Sequence, residues 1–151
     1  MSRRVFAATA LCVFALVSCG ETQETKALCS HAAELESSLV ATSVAIEGFS
    51  TISPRQLQST IAVLTGTLSI IGDIAPSAVK SDVEQTMRAY EELAVALQNV
   101  YWDGTVAVTD GGVQNAAQNL ARNDNVEALE NLRQFISDQC KVQISQGIRP
   151  P

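Results

Sequence analysis

Residues 53–71 constrain the fold more than any other stretch. Ser53-Pro54-Arg55-Gln56 is a helix start. The Ser53 hydroxyl can accept from the backbone N–H of Gln56, and the Gln56 side chain can reach back. Pro54 stands at the first helical position, where its missing N–H has no partner to lose. Leu57, Ile61, Leu64, Leu68 and Ile71 then recur at spacings of four, three, four and three, which is one helix face. Val63 and Ile70 widen that stripe. No charge falls between Gln56 and Gly72, so this helix is expected to be the most enclosed by its neighbours. Gln58, Ser59, Thr65, Gly66, Thr67 and Ser69 interrupt it too often for a membrane span. Gly66 costs about 1 kcal/mol against Ala in a helix interior, and is expected to let a neighbouring helix approach closely.

The same period recurs on both sides. Leu28, Ala32, Leu35, Leu39 and Ile46 share one face, and Gly48 ends that run. A third helix begins near Pro76 or at Ser81-Asp82-Val83-Glu84, a second capping box. Its apolar face is Val79, Val83, Met87, Tyr90, Leu93 or Ala94, Leu97 and Tyr101, with Trp102 at its end. Residues 103–112 break the pattern: Gly104, Gly111 and Gly112 bracket a β-prone Thr-Val-Ala-Val-Thr, expected to form a long loop with room for a short strand. A short helix uses Val113, Ala116, Ala117 and Leu120. Asn123-Asp124-Asn125 is a turn, and Asp124 to Glu127 can form a third box. Leu129, Leu132, Ile136 and Cys140 line a last helix. The expected fold is all-α, an antiparallel bundle of four or five helices over 27–141 with an extended tail over 142–151.

The chain opens on Met-Ser-Arg-Arg, followed by a thirteen-residue apolar run, Val5 to Val17. That run is short of the roughly 20 residues a spanning helix needs. A cationic start, a short apolar middle and small exit residues are the layout of an export signal. The exit reads Leu16-Val17-Ser18-Cys19. It resembles the lipobox of bacterial lipoproteins. The resemblance implies that residues 1–18 are cleaved, that Cys19 is thioether-linked to a diacylglycerol, and that its new amino group is open to acylation. Residues 19–26 would then be a lipidated tether. Ser2-Arg3-Arg4-Val5-Phe6 also resembles the twin-arginine motif; the very short charged region and strongly hydrophobic run favour the ordinary route, and both stay open. The stretch from Ala75-Pro76 to Leu97 is similar to small secreted helical proteins of actinobacteria whose function is unknown, and that likeness carries no functional residues.

Cysteine usage follows from the lipobox. Of Cys12, Cys19, Cys29 and Cys140, the first leaves with the signal and the second carries lipid. Two would remain in an oxidising compartment, where disulfides persist. A Cys29–Cys140 bond is expected; two buried free thiols are the alternative. Loss of Arg3 and Arg4 leaves eight basic against sixteen acidic residues, a formal −8. Such a domain repels phosphates, so no nucleic-acid partner is expected, and anionic lipid would not attract it either. Membrane attachment falls to the lipid on Cys19.

No residue set resembles a catalytic one. His31 and Glu34 lie one helical turn apart, but neither the Glu-x-x-His pairs of di-iron bundles nor His-Glu-x-x-His occurs. Asp103 and Asp110 flank a glycine-bearing loop, and Asp-Gly turns account for them better than a calcium site. Tyr90, Tyr101 and Trp102 recur at helical spacing and are expected in the core, with a ligand or partner surface as the alternative. Neither a Gly-x-Ser-x-Gly elbow nor a phosphate loop is present. No catalytic residue, metal ligand or cofactor is expected. The expected protein is a lipid-anchored lipoprotein on the extracytoplasmic side of the cell membrane, acting as a non-enzymatic binding module for an unidentified partner. The alternative is a carrier of a small apolar ligand in a pocket between helices.

Overall fold

The computed structural model describes residues 22–142. They form six helices: α1 (Gln23–Glu47), α2 (Pro54–Ile74), α3 (Lys80–Asn99), α4 (Gly104–Ala107), α5 (Gly111–Leu120) and α6 (Asn123–Cys140). No strand occurs among the described residues. The signal region, Cys19 and nearly all of the expected tail lie outside them.

Helix starts show where local chemistry decides and where packing does. α1 begins at Gln23, inside the segment expected to be a tether, because Thr22 Oγ1 accepts from Thr25 N at 3.2 Å and caps it. α2 starts as expected: Ser53 Oγ accepts from Gln56 N at 3.3 Å, with Pro54 next. The other two capping boxes do not form. α3 starts at Lys80 and α6 at Asn123, so Ser81 and Asp124 already lie inside the first turn, and neither helix has a side-chain cap bond. Val79 and Val83 are buried at the start of α3, so packing of an apolar face sets that boundary.

The expected strand is also absent. Asp103 Oδ1 accepts from Thr105 N at 2.9 Å and from the Thr105 hydroxyl at 2.7 Å, which winds Gly104–Ala107 into a turn of helix. Asp110 Oδ1 accepts from Val113 N at 2.9 Å and starts α5 in the same way. Two Asp-Gly pairs read as turns are therefore helix caps.

α1 packs on α2 and α6, while α3 packs on α2, α5 and α6. The buried side chains fall into two clusters. The first joins Leu28, Leu35 and Leu39 to Leu64, Leu68, Ile71, Val83, Leu132 and Ile136, with Cys140 against it. The second joins Phe49, Leu57 and Ile61 to Leu93, Leu97, Ala107 and Val113. Thr42 lies in sequence between Leu39 and Ala45, and Thr86 between Val83 and Leu93, where one cluster gives way to the other. Both hydroxyls are buried without a hydrogen-bond partner. An unsatisfied buried hydroxyl costs about 1–3 kcal/mol. Cys29 and Cys140 are bonded, with Cα atoms 5.1 Å apart, which ties the beginning of α1 to the end of α6 beside the first cluster.

The apolar face expected of α2 is fully buried at Leu57, Ile61, Leu64, Leu68 and Ile71. The enclosure expected of the whole helix is not found. α2 packs chiefly on α1 and α3, and Val63 and Ile70 are 53% and 46% exposed. Its outer side is uncharged yet open to solvent. No atom outside the helix's own turn comes within 4 Å of where a Gly66 Cβ would lie, so no neighbouring helix uses that glycine for close approach. Gly66→Ala is therefore expected to raise stability by about 0.5–1 kcal/mol, through helix propensity and a less flexible unfolded chain. A urea denaturation midpoint that falls instead would show that the backbone at Gly66 is strained.

Candidate functional site

The end of the bundle away from the disulfide carries the least ordinary surface. It begins where α3 stops. Tyr101 N donates to Gln98 O at 3.0 Å and Trp102 N donates to Leu97 O at 2.8 Å. This is a Schellman closure, but Tyr101 occupies the position that glycine usually takes. Tyr101 and Trp102 both adopt left-handed backbone, with φ of 54° and 61°. Holding such residues there costs of order 1 kcal/mol each and needs surrounding structure to enforce it. Trp102 packs against the second core cluster. Tyr101 is turned outward and is 87% exposed.

Of the three aromatic residues expected in the core, two pack against it and one does not. Tyr90 packs against the first cluster, Trp102 against the second, and Tyr101 stands in solvent. The helix ends at Asn99, so helical spacing does not carry through to residues 101 and 102. Burial pushes the Tyr90 hydroxyl above its ordinary pKa, partly offset by the nearby Arg133 cation.

α4 is pressed onto the α1–α2 connection. A Cβ on Gly104 would fall 1.6 Å from the Phe49 carbonyl oxygen, so only glycine fits. Gly104→Ala is expected to cost about 1–3 kcal/mol as α4 is forced away. Val106 and Val108, both about half exposed, should then change environment together; methyl NMR shifts at the two valines check this. Hydrogen bonds from the Thr105 hydroxyl and from the Thr105 and Val106 amides hold the Asp103 carboxyl below the usual carboxylate range. A depressed acid supports the cap above its unfolded pKa, and that support is lost as pH falls through its folded one.

Beside this tip, α3 and the start of α5 enclose an open groove of about 290 Å³. Its apolar lining is Val95, Ala96 and Ala116, with Gly112 leaving one wall as bare backbone. Its polar lining is Glu92, Asn99, Asp110 and Asn115. Asn119 on α5 donates to Glu92 Oε2, so the carboxylate is held across the two helices. Asp110 is fixed by its capping bond. Among the described residues neither carboxylate forms an ion pair.

The remaining sites separate cleanly. His31 Nδ1 and Glu34 Oε2 stand 3.4 Å apart on the exposed side of α1. No group of three or more metal-ligating side chains occurs among the described residues. Asp103 and Asp110 serve as caps of two different helices. Sequence patterning did not single out the groove, because Glu92, Val95 and Asn99 look like an ordinary solvated helix face until α5 packs beside them. No protein-family model, curated protein or solved structure matches this chain.

Proposed function

We propose that this protein is a lipid-anchored lipoprotein of the cell envelope, and a non-enzymatic interaction module that holds a protein partner at the membrane. Its signal is residues 1–18 and its lipid is on Cys19. In this reading the four long helices α1, α2, α3 and α6 run antiparallel around a ring, each beside the next. Three chain steps separate Cys19 from Thr22, so the cap of α1 lies within about 10 Å of the lipid. The disulfide end then faces the membrane. The tip and groove face away from it: from Val83 in the first cluster to Ala96 by the groove, α3 rises about 20 Å.

One observation carries the interaction reading. Among the described residues, Val95, Tyr101, Val106 and Val108 are half of the eight exposed large apolar side chains, and all four fall within one stretch of fourteen residues around the tip. A contiguous exposed apolar patch marks a contact surface, and the short stretch that carries these four side chains supports one at the tip. The carrier alternative is less well supported, because the groove opens on the outer side of α3 and does not lie between the core helices. Native mass spectrometry of protein taken from its own membrane tests the choice: a bound subunit is expected, whereas a retained small molecule in its place would favour the carrier. Cys19→Ala is expected to abolish lipid labelling and to move the protein into the soluble fraction. A variant that still takes up lipid would overturn the anchor.

A further inference from the structure

We propose that the groove between α3 and α5 receives a lysine or arginine side chain of the protein partner. The stem would lie along Val95, Ala96 and Ala116, and the cation would be held by Glu92 and Asp110. This rests on the interaction reading and names the chemistry of the partner at that surface.

Charge complementarity selects the occupant. The groove offers two carboxylates and the amides of Asn99 and Asn115, and no cation. Each carboxylate is already oriented by a bond from one oxygen: Glu92 Oε2 from Asn119, and Asp110 Oδ1 from Val113 N. The other oxygen of each remains available to an incoming donor. Neither has an internal ion-pair partner among the described residues, so an external cation replaces no existing pair. Ordering the acids in advance removes part of the entropy cost of binding.

Size and shape agree. At about 290 Å³ and open to solvent, the groove lies at the lower edge of the range for sites that enclose small molecules. It accommodates a side chain presented by a larger surface. Lysine and arginine carry an apolar stem beneath a charged head, and their stems bury well along apolar surface. Ala96 and Ala116 give the groove an apolar lining, while Val95, 59% exposed, adds apolar surface that gains burial when covered. An anionic or purely apolar segment would desolvate both carboxylates without bringing a cation to offset the cost, which is unfavourable.

The test uses the full chain in a nonionic detergent and three synthetic hexapeptides of alanine carrying two lysines, two arginines or two glutamines. NMR titration should give saturable shifts at Val95, Ala96 and Ala116 with the lysine or arginine peptide, and none with the glutamine peptide. The double variant Glu92→Gln, Asp110→Asn should weaken binding at least tenfold; asparagine is itself a good helix cap, so α5 is preserved. Val95→Lys, a change at an exposed position, should weaken binding as strongly by placing a tethered cation at the groove. Equal shifts with the glutamine peptide, no saturable shift with either cationic peptide, or full affinity in both variants would overturn the proposal. Such a result leaves the partner reading standing, since native mass spectrometry judges that separately.

Discussion

Leu64→Ala is expected to lower the stability of the domain by about 2–5 kcal/mol, the usual range for opening a cavity in a core. Leu64 is fully buried in the first cluster, among Leu28, Leu35 and Leu39 of α1 and Leu132 and Ile136 of α6. Cluster neighbours from two other helices leave little freedom to close the void. The loss is a large share of a total that should be about 5–15 kcal/mol, and corresponds to a fall in Tm on the order of 10 °C. Thermal denaturation measures it directly. An unchanged Tm would mean that this face of α2 does not belong to the core, and would make it a contact surface instead. Val63→Ala on the outer face of the same helix is the control, expected to change stability by about 0.5 kcal/mol or less.

Replacing both Cys29 and Cys140 by alanine is expected to cost about 2–5 kcal/mol. The bond spans a sequence separation of 111 residues and so closes nearly all of the described chain into one loop. In the chain-entropy account a loop of that length contributes about 4–5 kcal/mol by restricting the unfolded state. The loss should appear as a lower urea midpoint with the far-ultraviolet helical signal intact before the transition. A loss below about 1 kcal/mol would show that the unfolded chain stays compact without the bond. The cross-link also holds together the two helix ends that the proposed anchor places nearest the membrane.

Much of this architecture is legible in the amino-acid order. The spacing of Leu28, Ala32, Leu35 and Leu39, and of Leu57 through Ile71, named faces that are buried, while Ile46 at the end of the α1 face is only half-buried and Ala45 takes its place in the core. Ser53-Pro54 named a helix start to the residue, because a cap and a proline act through bonds within one turn. The expected Cys29–Cys140 pair, reached by supposing that Cys12 leaves with a signal and Cys19 carries lipid, is the bonded one. Errors cluster where the deciding contact comes from elsewhere in the chain. Thr-Val-Ala-Val-Thr favours a strand locally, yet Gly104 docks on the Phe49 carbonyl and Asp103 caps a helical turn there. Tyr101 matches the period of α3, yet a closure after Asn99 turns it outward.

The order of residues by itself determined the all-helical class and most of the core face of each long helix, and made Cys29–Cys140 the expected pair. These depend on periodicity, capping and counting, which are properties of neighbours along the chain. Tertiary structure alone decided which helix sides stay open, that Gly66 faces solvent, and that Glu92, Val95 and Asp110 line one groove. A groove is the space left between two elements. Its shape depends on how α5 packs against α3, and hydrophobic periodicity says which face of a helix is buried, not against what or at which angle.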